Sequence, residues 1–509
     1  MADTQLHVSK KTLIQTVTAL DTSFEQSVEK DFVLPDYCPD VFRILKCKVC
    51  PRVISQSING DRLTIDTDAV IRVLYLSENS GKINLLEHRL SFSKTLELGN
   101  CTEASVKAEA RLDYVNCRVV SQRRVDIRGA YTVKVKVTGE VKKNFVTDAD
   151  GCGIQLRKLQ TSYPAQRITA SKRITVIEEL ELGGAKPPVG SVLESECRID
   201  RKEMKIIQGK LITKGDAEIE MVYTPAESTG AAAETMKFAL PFSQVIDIDG
   251  IDEGYEVDIE TVSSCCNIMP RNEDPNRLEC ELIMLVNCTA VRYESCEAVT
   301  DAFSTLYPCK VSKADCGIVG MAQRYEESFQ ASGTVSCAEG ESLSIFSVKC
   351  EAANISVRSD DSGSVISGSL MITALGADAY GTAVYLENEA PFEYTAEGIA
   401  LTEAEVTVRS CSYHLTEDNT AEIKADLTVR SEICESRKIT PLGEINVDTS
   451  EKINCSGRCA VKLCRVEAGE DLWDIAKRCR TSMTAIIEEN ELTSDKTEES
   501  GMLLIPLIN

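Results

Sequence analysis

Histidine occurs three times in 509 residues, at His7, His88 and His414, each in a different part of the chain. That leaves little for a histidine metal cage or a Ser-His-Asp triad, and surface or strand-edge positions fit all three. Aromatic content is 5%, with tryptophan once, at Trp473. No apolar run reaches eighteen residues, so no segment reads as crossing a membrane. Residues 1–30 lack the continuous apolar core of a signal peptide, and the expectation is a protein made and kept in the cytoplasm. A phosphate loop is missing too: Gly209-Lys210 and Gly215-Asp216 stand outside any GxxxxGK[ST] frame. Basic residues are outnumbered, 56 against 80 acidic, for a net charge of −24. Polyphosphate repels such a surface, which excludes nonspecific nucleic-acid binding and suits a basic partner. Among so many carboxylates no pair stands out for acid–base work, where separation in space decides. No catalytic residue, cofactor or metal is assigned, and the chain reads as a non-enzyme.

Cysteine, by contrast, is abundant at 22 residues, scattered singly along apparent strands, as at Cys117, Cys197, Cys280, Cys288, Cys411 and Cys434. Three readings stay open: small buried hydrophobes kept reduced, cross-links in a hardened assembly, or metal ligands. Cys47 and Cys50 form a lone CxxC without a second pair. Cys455, Cys459 and Cys464 make a denser cluster that could clip zinc or form a disulfide.

Internal repeats decide the architecture. A shift of 148 residues sets Leu34 on Leu182, Pro39 on Pro187, Val41 on Val189 and Leu45 on Leu193, and carries 70–75 onto 218–223, ending in Tyr75 and Tyr223. A fainter third copy places 370–375 over 218–223, with a lead-in, 335–346, that has lost the prolines. Each copy closes on a hairpin: 106–120 with 126–141, 257–269 with 278–291, and 406–415 with 421–433. The turns at 272–276 and 416–420 are rich in Asn, Asp, Pro and Thr, which pre-set bends.

The strands alternate with a period of two. Val133, Val135 and Val137 point one way, Lys134 and Lys136 the other; Ile423, Ala425, Leu427 and Val429 alternate with charged residues in the same manner. Such alternation predicts antiparallel sheets with one buried and one wet face. The expected fold is mostly β: tandem antiparallel sandwich-like repeats over 1–150, 151–300 and a divergent 301–440. A glycine-, serine- and charge-rich linker over 441–462 follows, then a small α+β module over 463–509.

That last module is the most legible stretch. A short strand (464–467) meets a turn at Gly469, and Asp471 stands at a helix N-cap, where its carboxylate accepts an orphan N–H. Leu472, Ile475, Ala476 and Cys479 form one apolar stripe; Ser482 caps a second helix carrying Met483, Ile486 and Ile487 and ending at Asn490. Leu503, Leu504 and Ile505 make a closing strand that Pro506 stops. This βααβ order, with Gly469 to Trp473, Ile475 to Lys477, Asn490 and the Leu-Leu-Ile-Pro ending, resembles the LysM module. Two departures from the family pattern are Arg480, where a glycine is usual between the helices, and the acidic pair Glu470-Asp471 at the groove lip. The resemblance implies binding of N-acetylglucosamine-containing glycans, or of protein, in a groove built by Gly469, Glu470, Asp471, Leu472, Trp473, Asn490, Glu491 and Leu492. Trp473 has two readings, a cover for the module's core and a partner-facing anchor.

The stretch Phe32 to Leu45 (FVLPDYCPDVFRIL), opening a β-domain of this length, resembles the SPOCS domain, also called DUF3794. SPOCS repeats followed by one LysM module are similar to the SipL-like family of spore-coat morphogenetic proteins of clostridia. That resemblance implies a mother-cell protein recruited to the forespore surface. Its implied partners are a SpoIVA-like coat ATPase, bound by the LysM module, and other coat proteins, with self-association of the repeats left open. The alternative function is peptidoglycan or other N-acetylglucosamine-glycan binding through the same groove.

Overall fold

The structure, a computed structural model, describes residues 5–77, 82–98, 104–184, 186–226, 232–271, 274, 276–318, 322–337, 343–360, 362–401, 403–417, 419–434, 438–453 and 460–506. Strand accounts for 76% of it and helix for 3%.

Residues 7–150 build a six-stranded sandwich. One sheet is a meander of β2 (Val41–Asn59), β3 (Arg62–Ser77) and β4 (Ile83–Glu97); the other takes the order β1-β6-β5 from β1 (His7–Val33), β5 (Ser105–Ser121) and β6 (Arg124–Asp150). The alternation explains the packing: Val133, Val135 and Val137 are fully buried against Leu63, Ile65, Ile71 and Val73 of the facing sheet. A second sandwich repeats this order with β7 (Ile154–Glu181), β8 (Val189–Ile207), β9 (Lys210–Pro225), β10 (Glu234–Asp247), β11 (Glu256–Pro270) and β12 (Arg277–Ser304). A third repeats it again with β14 (Ala322–Ser336), β15 (Ser344–Asp360), β16 (Gly363–Ala377), β17 (Ala383–Glu397), β18 (Glu405–Leu415) and β19 (Thr420–Cys434).

The sequence matches have a physical basis. Tyr75 Oη donates to the Pro39 carbonyl at 3.1 Å, and Tyr223 Oη does the same to Pro187 at 3.0 Å. A buried phenol needs such an acceptor, so tyrosine and proline segment recur together. In the third copy the prolines are gone and Gly376 stands in the tyrosine's place. Here the structure corrects the sequence register by one residue. Leu370 shares its inward position with Ala69 and Ala217, not with Glu218. A slip of one residue exchanges the faces of a strand, so the inward set decides.

The expected wet face is not wet everywhere. On β3 the residues opposite the sandwich core, Leu74 and Leu76, are also buried, and they meet Leu193 and Val222 of the second sandwich and Leu375 and Ala383 of the third. The three copies therefore converge on one shared apolar cluster. Ion pairs surround it: Lys349 Nζ lies 2.8 Å from both Glu194 and Glu196, and Lys48 lies 3.7 Å from Glu196 and 3.6 Å from Glu351.

A second junction forms from strand overhang. β1, β6, β7 and β12 run 27 or 28 residues, well past the sandwiches they serve. Their far halves pair as two-stranded ribbons, His7 with Asp150 and Ile154 with Ser304 at the ends. A third ribbon joins β13 (Cys309–Lys313) to β20 (Leu442–Val447). The ribbons pack through Leu13, Phe145, Tyr163 and Ile318, and through Val146, Val299, Leu442 and Ile445. The stretch read as a linker, 441–462, thus begins with a strand. Its composition signals a loop, but burial of Leu442 and Ile445 against the other ribbons overrides that. Residues 454–459, with Cys455 and Cys459, lie outside the described residues, as do 272, 273, 275 and 418 of the two expected turns.

Candidate binding site

The C-terminal module forms as its sequence predicts: β21 (Val461–Val466), α1 (Leu472–Cys479), α2 (Met483–Glu489) and β22 (Gly501–Pro506), with β21 and β22 paired antiparallel. Asp471 caps α1, its Oδ1 accepting from Trp473 N at 2.9 Å, and Ser482 Oγ caps α2 by accepting from Ala485 N at 3.1 Å. Arg480 ends α1 in the left-handed region at φ +56°, a conformation that disfavours side chains other than glycine. Leu472, Ile475, Ala476, Ile486 and Ile505 fill the core.

The eight expected groove residues do not share one surface. Leu472 is core, 0% exposed. Asn490 is a staple: its Nδ2 donates to Leu504 O at 2.7 Å and Leu504 N donates to its Oδ1 at 2.7 Å, which fastens β22 to the end of α2. Glu470 pairs with Arg478 at 3.0 Å, and exposed Gly469 turns at φ +82°. Only Glu491 and Leu492 line the open cavity of about 310 Å³ beside β22, together with Val466, Lys496 and Met502. Glu498 and Glu499 add acid to that rim, so carboxylates outnumber ammonium groups there.

Sequence reasoning missed Thr497, which ties the two loops flanking the cavity. Gly469 N donates to its carbonyl at 2.7 Å, Glu470 N to its Oγ1 at 2.9 Å, and Thr497 N to Glu470 O at 3.0 Å. In sequence it sits in an ordinary polar loop, with nothing to mark it.

The larger surprise is where Trp473 points. Expected as a core cover or a partner anchor, it does the first and is also anchored on the chain's own scaffold. Its ring meets Phe303 of β12 edge-on at 5.0 Å between centroids, and its Nε1 donates to Asp301 Oδ2 at 2.8 Å. Lys477 Nζ reaches the same carboxylate at 2.7 Å, and Arg157 of β7 bonds Asp471 Oδ2 at 2.7 Å. The module is therefore docked on the second ribbon rather than held out on a tether. Burial raises the Asp301 carboxyl, but Lys477 and the indole N–H more than offset that and hold it below the usual aspartate range. Asp301 and Trp473 lie 172 residues apart, a distance over which no local pattern carries information.

Because Trp473 is the one tryptophan, its emission reads this contact alone. Asp301→Ala removes the indole's acceptor, costs the dock about 1–3 kcal/mol, and shifts the emission to longer wavelength. Asp301→Asn keeps an acceptor and loses only the charge opposite Lys477, so its shift is smaller. Unchanged emission in Asp301→Ala means that the carboxylate does not hold the indole.

Residues 40–120 and 188–268 each match the family model described as SipL, SPOCS domain, and residues 464–503 match that of the LysM domain. No curated protein and no solved structure matches the chain. The third sandwich, without the prolines and the tyrosine, lies outside the family matches although its strand order is the same. In its domain content the chain is SipL-like: two SPOCS domains and a C-terminal LysM domain.

Proposed function

We propose that the chain is a non-enzymatic scaffold of spore-coat assembly, with three SPOCS-type sandwiches over roughly 1–150, 151–300 and 301–440 as its body. Its LysM module is the handle for a basic patch on a SpoIVA-like coat ATPase at the forespore surface. The domain content supports the coarser part, a coat-related protein carrying a module of glycan-binding type. Both matched families are binding domains without catalysis, which supports the absence of turnover. No helix among the described residues is long and apolar enough to cross a membrane.

One observation favours a protein partner over a sugar: the sole tryptophan is turned onto Phe303, and the cavity it leaves has an acidic rim and no aromatic lining. Small-ligand sites rely on aromatic and apolar walls with a few placed polar groups, whereas an acidic rim suits a cationic protein surface. Capture by the full chain, with Glu498→Lys/Glu499→Lys as the paired variant, tests this. The ATPase should be retained by the native chain and lost with the variant, and the loss should follow ionic strength. Retention of chitin oligomers by both forms, without retention of the ATPase, would establish the glycan reading instead.

A further inference from the structure

Each sandwich has an edge at which β2 faces β5, or its counterpart, without sharing a sheet. Two cysteines recur there. On the first strand, Cys47 stands opposite Val73, Cys197 opposite Ile219 and Cys350 opposite Ile372; Cys197 and Cys350 hold equivalent places, and Cys47 lies one inward position away. On the second, Cys117 stands opposite Ile127, Cys266 opposite Leu282 and Cys411 opposite Ala425; Cys266 and Cys411 are equivalent, just past the same bulge, and Cys117 again lies one inward position away. Each sandwich thus carries a cysteine on both strands of this edge.

We propose that Cys47 with Cys117, and Cys350 with Cys411, are paired thiol sites that close as disulfides across the open edges of the first and third sandwiches. In each pair the two side chains pack into the same core, and in the third sandwich the Cys411 thiol reaches across the edge to donate to the Val348 carbonyl, two residues before Cys350, at 3.3 Å. No disulfide joins the described cysteines in the structure, so these sites stand in the reduced state. In the second sandwich Cys266, the counterpart of Cys411, has another partner. There Ser195 Oγ donates to the Cys266 carbonyl at 2.7 Å, and the Cys266 thiol bonds Cys280 on the adjacent strand of its own sheet. Cys266 and Cys280 sit diagonally in the ladder, since Cys280 is opposite Ile268, and a bridge there would join strands that already share main-chain bonds. A bridge from β2 to β5 or from β15 to β18 instead joins two sheets that the backbone leaves separate.

The chemistry needs an oxidant, and a low-molecular-weight disulfide supplies it. The hydrogen bond from Cys350 outweighs burial and draws the Cys411 thiol down to about 7, so it is the attacking thiolate. It displaces one thiol from the small disulfide and forms a mixed disulfide. The Cys350 thiolate, its proton gone to solvent, then attacks the Cys411 sulfur and expels the second thiol. Two protein thiols are oxidised to one disulfide and one small disulfide is reduced to two thiols. Cys117, also drawn down by its partner, plays the attacking part in the first sandwich.

The full chain, held folded at neutral pH with oxidised glutathione, then alkylated and peptide-mapped, tests the proposal. Cross-linked peptides joining Cys47 to Cys117 and Cys350 to Cys411 are expected, each lighter by two hydrogen atoms. The thermal midpoint rises, and reductant reverses the rise. Cys266 and Cys280 remain open to alkylation. Full alkylation of the four cysteines after oxidation, stable glutathione adducts on them, or links that join them to other partners each overturn it.

Discussion

Trp473→Ala removes about 3–5 kcal/mol from the C-terminal module and releases it from the β-body, while the three sandwiches unfold as before. The size of the effect follows from two burials at once. The indole is 4% exposed, packed with Leu472, Ile475 and Ile486 on one side and with Phe303 of the second ribbon on the other. Its truncation opens a cavity within the module and strips the Asp301 carboxylate of a donor at 2.8 Å. A core of this size supplies only about 3–5 kcal/mol in total, so the loss is comparable to all the module has. Trp473→Phe separates the two contributions: it keeps a ring in the cavity and loses the Nε1 donor, for a cost of about 1 kcal/mol. Hydrogen exchange resolved by peptide is the measurement. Amides of α1, α2 and β22 should lose protection in Trp473→Ala and those of β3, β9 and β16 should keep theirs. Protection unchanged across the module would show that the indole is dispensable.

Lys349→Ala is expected to loosen the contact between the second and third sandwiches by about 3–5 kcal/mol, because it leaves buried carboxylate without its cation. Lys349 and Glu194 have side chains only 14% and 17% exposed, so neither is fully rehydrated when the other is lost. Replacing the lysine and both glutamates together by apolar residues of similar volume should recover most of the stability, since the penalty comes from the unpaired charge and not from the loss of the pair. The pH dependence follows from the same geometry. Burial raises the Glu196 carboxyl, but Lys349 and Lys48 more than offset it, so its folded value lies below the ordinary one. Its contribution is present above about 4.3, the unfolded value, and is lost as pH falls through the folded value. Burial lowers the Lys349 ammonium, but Glu194 and Glu196 more than offset it, so its folded value is raised. Its contribution is present below about 10.4 and is lost as pH rises through the folded value. Urea midpoints of the native chain should therefore fall off at both ends of that range. Lys349→Ala should flatten both limbs, and two profiles that differ only by a constant offset would contradict the assignment.

Much of the fold was legible because its signals are local. Alternation along β6 and β19 named the faces, since successive side chains of a strand point opposite ways. Asp471 and Ser482 marked the helix starts because a cap is a contact within a few residues. The repeat was legible as long as a residue pair enforced it. Pro39 with Tyr75 and Pro187 with Tyr223 persist because each phenol needs that carbonyl. Where the pair is gone, in the third copy, the register slipped by one residue in the reading and the family model finds no match.

The candidate site divides in the same way. Gly469, Asp471 and Asn490 were named correctly as turn, cap and helix end, yet their spacing says nothing of Thr497, which ties Gly469 and Glu470 to the other loop.

By itself the sequence determined three things: antiparallel β-repeats, a βααβ module after them, and a net charge of −24. Periodicity, capping and composition act over a few residues or over the whole chain, and both scales can be read without coordinates. The tertiary structure alone decided that three sandwiches share one apolar cluster, that 442–447 is a strand, and that Trp473 is spent on the chain's own Phe303 and Asp301. Those outcomes depend on which surfaces meet after the strands have formed. Segments 172 residues apart acquire a common neighbour only through the folded path between them.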